Sequence, residues 1–170
     1  MIFRGNSVRR LAKSLARACA ATLATALFAT GAQAIEVTQN LAADGAIAAQ
    51  QSKPLLLFFT QPGCSFCERA RAEYLRHLAL DPAYTSRAVF REVSIGKPVA
   101  GFDGQRRAGA AVGRAQGVTL YPTIVIVDAK GKQLAPPLRG YTVPDFYGAS
   151  IDARLDAAHT ALRATPESAQ

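Results

Sequence analysis

Cysteine and histidine are scarce in this chain of 170 residues, with three of the first and two of the second. So few thiols exclude a fold built on a framework of several disulfides. The two histidines, His77 and His159, are the only ones that could join two cysteines in a four-ligand zinc site, and they are placed too far off to do so. His77 stands ten residues beyond Cys67 on what reads as one helix, roughly 15 Å away at helical rise.

Acidic side chains are absent from the first 34 residues, which carry Arg4, Arg9, Arg10, Lys13 and Arg17. Beyond that stretch 15 basic and 12 acidic side chains remain, so a formal net charge of +8 falls to +3. The basicity that would suit nucleic acid therefore belongs to the leader, and no nucleic-acid partner is expected. An apolar run of bilayer length is missing as well. Ala18 to Thr30 is small and apolar but falls short of the roughly 20 residues that span a membrane.

A charged start, this short apolar centre and Ala32-Gln33-Ala34 read instead as a secretory leader cleaved near Ala34. The contiguous apolar centre argues against an amphipathic transit peptide, and Arg9-Arg10 leaves the twin-arginine route open beside general export. Cys19 leaves with the leader. The expected organisation is residues 1–34 as leader, 35–164 as one α/β domain and 165–170 as a flexible polar tail.

Cleavage leaves Cys64 and Cys67 as the cysteines of the mature chain. Two thiols that close so short a loop constrain little of the unfolded chain, so their use is chemical. Leu55 to Phe59 is an apolar run of strand length, Pro62-Gly63 breaks it, and Cys64-x-x-Cys67 opens a helical pattern. A thiol at a helix N-terminus sits among unpaired N–H groups and the positive end of the dipole, which favour the reactive thiolate.

The spacing predicts helices over 40–51, 64–80 and 105–116 and one starting near Thr142, capped by it, with Tyr147, Ile151, Leu155, Ala158 and Leu162 facing inward. It predicts strands over 55–60, 88–95 and 123–127, the last turning at Asp128–Gly131 into a hairpin over 132–135. Gly96 to Gly104 reads as a surface loop. Arg106, Arg107 and Arg114 read as a solvated helix face rather than an anion-docking patch. Strand and helix alternate early and a hairpin closes the chain, which gives a three-layer α/β sandwich with a mixed sheet of about four strands.

This element order, with Cys64-Ser65-Phe66-Cys67 after the first strand and Tyr121-Pro122-Thr123 before the hairpin, resembles the thioredoxin fold from about Leu41 to Arg163. Gln-Pro-Gly-Cys-x-x-Cys, Gly-Phe-Asp-Gly at 101–104 and Gly140-Tyr141-x-x-x-Asp145-Phe146 are similar to periplasmic thioredoxins of SoxW type. The resemblance implies a periplasmic thiol-disulfide oxidoreductase, acting as a reductase and a monomer, without a cofactor. Its implied partners are disulfide- or thiol-bearing proteins and a separate membrane electron donor. Cys64 would be the nucleophile and Cys67 the resolving thiol. Pro122 would be a cis-proline facing them, and Tyr121, Pro122 and Thr123 would meet the substrate chain.

Three departures stand out. The buried Asp usual six residues before the first cysteine is Phe58, which leaves Glu68, beside Cys67, as the candidate for proton transfer. Gly63 replaces the usual Trp before the motif, and Ser65-Phe66 replaces Gly-Pro inside it. The rival reading is a copper- or zinc-binding protein that uses the same cysteine pair.

Overall fold

Leu55–Thr60 is β2, and all six of its residues are buried because the strand is covered on both faces. It is the middle of a five-stranded sheet in a computed structural model that describes residues 35–141 and 143–164. The leader, the tail beyond Ala164 and the expected cap Thr142 lie outside the described residues.

In chain order, β1 is Glu36–Val37, α1 Leu41–Gln50, β3 Val89–Ser94, β6 Thr123–Val127 and β7 Leu138–Arg139, in the sheet order β1-β3-β2-β6-β7. The pairs β1–β3 and β3–β2 are parallel; β2–β6 and β6–β7 are antiparallel. The α/β sandwich with a mixed sheet agrees with the expectation, with one more strand than the pattern indicated. That strand, β1, has only two residues, too short to carry a period-2 signal.

The dithiol helix α2 starts as α-helix over Ser65–Ala70, loosens into a π-helical turn over Arg71–Leu75 and closes as α-helix over Arg76–Leu78. Asp81 then caps a separate short helix α3, Pro82–Thr85, with Pro82 in its first turn. A single helix to Leu80 is thus corrected to a shorter, π-interrupted one.

The expected loop 96–104 and helix 105–116 are corrected more deeply. Pro98–Ala100 is β4, Arg106–Ala108 is β5, and the two pair as an antiparallel hairpin. Asp103 closes its tip by accepting from the Gln105 amide and from both prongs of Arg107. Helix α4 therefore begins only at Gly109 and runs to Ala115. Arg106 and Arg107 lie exposed on β5, and Arg114 is exposed on α4.

The returning strand is also displaced. Within 132–135 there is one bridge, Val127 to Gln133, with Leu134 N bonded to Ile126 O. Pro136-Pro137 interrupts the ladder, and pairing resumes at β7. The last helix opens as a 3-10 turn, Pro144–Phe146, and continues as α5, Tyr147–Ala164. Its residues Tyr147, Ile151, Leu155 and Ala158 are buried as the spacing predicts, while Leu162 is half-buried.

The sheet separates two cores. On one face Leu56, Phe58, Phe90, Ile124 and Ile126 pack with Cys64, Cys67, Leu75, Ile151 and Leu155. On the other, Leu55, Leu57, Phe59, Val125 and Val127 pack with Leu41, Ala48 and Val112.

Candidate active site

The site forms where β2 ends. Gly63 takes φ +71°, a conformation that L side chains rarely adopt, and so turns the chain sharply into α2. Pro62 braces this turn: a Cβ at Gly96 would lie 2.7 Å from its ring, so the loop after β3 touches the loop before the cysteines.

Cys64 occupies the N-cap of α2, with φ −84° and ψ 101°, and its Sγ accepts from the Cys67 amide at 3.0 Å. The pair is joined as a disulfide. The two cysteines differ in exposure: Cys64 is 8% exposed and Cys67 is fully buried. Beside them, Phe66 is 54% exposed.

The register Phe59 opposite Thr123 sets the start of β6 beside the end of β2. The Tyr121–Pro122 peptide bond is cis. Pro122 O accepts from Gly140 N at 2.7 Å, which ties this turn to the segment after β7. Tyr121 is half-buried against both cores and Leu120, just before it, is 50% exposed. Thr123 is fully buried, and its hydroxyl donates to Leu120 O at 2.7 Å, so this side chain holds the turn together.

Glu68 is exposed and ion-paired with Arg71. The carboxylate that the fold does bury on the dithiol side is Glu92 of β3. It is the register partner of Phe58, so the two side chains share a face. It accepts from Thr60 Oγ1 at 2.8 Å and, bidentately, from Arg71 Nε at 3.0 Å and Arg71 Nη2 at 2.7 Å. The Arg71 guanidinium also lies 5.9 Å from the Phe58 ring centroid. Burial works against its charge, but Glu92 and Glu68 together hold its pKa above the ordinary value. In the sequence, the one sign of Glu92 is its alternation with Phe90 on a strand otherwise rich in Val.

His77 is exposed on α2, and His159 lies on α5 with a buried Nε2. Among the described residues no group of three His, Cys, Asp or Glu side chains is gathered to hold a metal ion.

The domain family described as Thioredoxin-like domain matches residues 41–154. No curated protein matches the sequence. Among solved structures, the periplasmic thioredoxin SoxS of Paracoccus pantotrophus is 23% identical, with 62% of this chain and 99% of that one covered and a TM-score of 0.43. A Malassezia sympodialis thioredoxin is 14% identical, with 74% and 90% covered and a TM-score of 0.49. A thioredoxin-fold protein of Helicobacter pylori is 24% identical, with 65% and 81% covered and a TM-score of 0.38.

Proposed function

Since the chain belongs to the thioredoxin-like family and is a thiol-disulfide oxidoreductase, we propose that it works outside the cytoplasm, in the periplasm, as a reductase of protein disulfides. The observation that carries the division of roles is the difference between the two cysteines, Cys64 keeping slight exposure at the helix cap and Cys67 fully buried behind it.

The reduced Cys64 thiolate, favoured by the N-terminal amides of α2, attacks one sulfur of a partner disulfide. That bond breaks, its electron pair leaves on the other partner sulfur, and a mixed disulfide forms. Cys67 then attacks Cys64 Sγ, releases the second partner thiolate and leaves Cys64–Cys67 oxidised. Two electrons have passed to the partner, whose two thiolates take up the protons lost by the cysteines.

Exposed Phe66 within the cysteine motif and exposed Leu120 before the cis-proline turn offer apolar contact, and the backbone next to Pro122 offers hydrogen bonds to an extended partner segment. Regeneration falls to a separate membrane electron donor. The motif at 61–67, the 101–104 loop and the 140–146 segment support a SoxW-type assignment, and the leader pattern supports export.

The test is equilibration of the protein with glutathione or dithiothreitol buffers, followed by reduction of a protein disulfide. The wild type is expected to cycle, Cys64→Ala to lose turnover, and Cys67→Ser to accumulate a mixed disulfide. Turnover retained by Cys64→Ala would overturn the assignment. A potential far above the glutathione pool would make the protein an oxidant instead.

A further inference from the structure

Cys67 must become a thiolate to attack Cys64, yet it is fully buried, and burial disfavours the charged form. The groups around it decide whether that cost is offset. Arg71 lies one helical turn along, its amide bonded to Cys67 O, and side chains four apart on a helix are neighbours. Its guanidinium does not point freely into water. Its side chain is only 21% exposed, and it is gripped on two nitrogens by Glu92, on the third by Glu68, and laid over Phe58. Phe58 belongs to the same buried cluster as Cys67. Glu92 is in turn fixed by Thr60 at the end of β2. A cation is therefore locked on the sheet-facing side of the dithiol helix, where the π-helical turn begins.

We propose that Arg71, clamped by Glu92, is a positioning residue for the resolving step, its fixed positive charge favouring the Cys67 thiolate and the Glu92 carboxylate limiting how strongly. The proposal rests on the reading that Cys64 attacks and Cys67 resolves. In the step itself the Cys67 thiol gives its proton to solvent and its sulfur bonds to Cys64 Sγ. The bond from Cys64 to the partner sulfur breaks, and that sulfur leaves with the electron pair.

Other titratable groups packed around this core are Cys64, Tyr74, Tyr84, Tyr121, Tyr141 and Tyr147, with Glu73 and Arg69 beside Tyr141 and Asp152 and Arg87 beside Tyr84. Burial and the bond to Glu73 push Tyr141 up to about 12, burial raises Tyr147 in the same sense, and Glu73 is held below its usual range by its bond to Tyr141. None of these three titrates near neutral pH.

The experiment uses the full chain with Cys19→Ser, reduced and mixed with an aromatic disulfide that releases a coloured thiolate. The first equivalent reports attack by Cys64 and the second reports resolution by Cys67. Across a pH series, Arg71→Met is expected to move the midpoint of the second phase up by about one unit, slowing it about tenfold at neutral pH. Arg71→Lys, which keeps the charge and loses the fork, should fall between it and wild type. Glu92→Gln, which can still bond Thr60 and Arg71, should move the midpoint down and speed the second phase. The first phase should change by less than about twofold in each variant.

Shifts of opposite sign are what a charge effect requires, and a merely structural role would slow both. A second phase that is unmoved, or that is slowed in both variants, overturns the proposal. Should Arg71→Met not fold by circular dichroism, Arg71→Lys and Glu92→Gln still give the signs. A wild type that releases no second equivalent would instead overturn the assigned roles of Cys64 and Cys67.

Discussion

A Cβ at Gly45 would stand 2.2 Å from the carbonyl oxygen of Ala129, so α1 and the turn after β6 meet backbone to backbone. On an exposed helix, replacing glycine by alanine gains up to about 1 kcal/mol. Here the added methyl has to push two backbone segments apart, and such overpacking costs about 1–3 kcal/mol. Gly45→Ala is therefore expected to be destabilising, read as a lower urea midpoint at an unchanged slope. From sequence, Gly45 reads only as a weak point in a helix, because what faces it lies 84 positions further on. The same limit applies to Arg71 and Glu92, which are 21 residues apart and meet only when the helix lies on the sheet. Cys64 and Cys67 are legible because their signal is local: a strand-length run, a break, and two thiols at one helix start; the place of Tyr121-Pro122 comes from the resemblance alone.

Helix α2 begins on a sulfur. Cys64 Sγ takes the place of the usual capping oxygen and accepts the Cys67 amide. In the presence of reductant, Cys64→Ser should keep this acceptor and hold stability near that of the reduced wild type. Cys64→Ala should lose about 1 kcal/mol, as other cap removals do. Equal denaturation midpoints for the two variants would show that the sulfur cap contributes nothing. The strands over 55–60 and 123–127 were legible because each is an unbroken apolar or β-branched run. The hairpin of β4 and β5 was not. Its strands are three residues each, and Arg106-Arg107-Ala108 followed by small residues has no period that separates a short strand from a helix start. What decides it is the Asp103 turn chemistry together with Gly109, where a Cβ would come within 2.4 Å of Ser94 O. Only glycine lets α4 start that close to the end of β3.

Three tyrosines tie the molecule together on the dithiol side. Tyr74 of α2, Tyr141 after β7 and Tyr147 of α5 lie with ring centroids 4.8–6.3 Å apart, mostly edge-on. Tyr74 also donates to Pro144 O at 2.6 Å, and Tyr141 donates to Glu73. The pKa of Tyr141 is pushed up to about 12, first by burial and then by that bond to Glu73. The fold thus favours the neutral phenol. Its contribution is complete below the ordinary tyrosine value of about 10 and is lost as pH rises through the raised one. Burial raises Tyr147 in the same sense. Tyr141→Phe is expected to make the fall in Tm between about pH 10 and 12 shallower, leaving the part that belongs to Tyr147. Thermal melts across that range measure it, and an unchanged slope would remove Tyr141 from the account. At this scale the sequence conveyed the sandwich and the mixed sheet, since alternation of elements fixes layers. It conveyed neither the short edge strands nor the aromatic joint, whose members lie 67 and 6 positions apart.

The sheet that divides the two cores also divides the molecule by use. Both sulfurs, the Arg71–Glu92 pair and the tyrosines lie on one side, while α1 and α4 cover the other with a core of aliphatic side chains and Phe59. Gln50 and Arg114, exposed on those two helices, are therefore handles. A dye, a resin linker or an electrode tether attached there leaves the opposite side open to solution, so the protein can be immobilised for potentiometry without standing its reactive sulfur against the support.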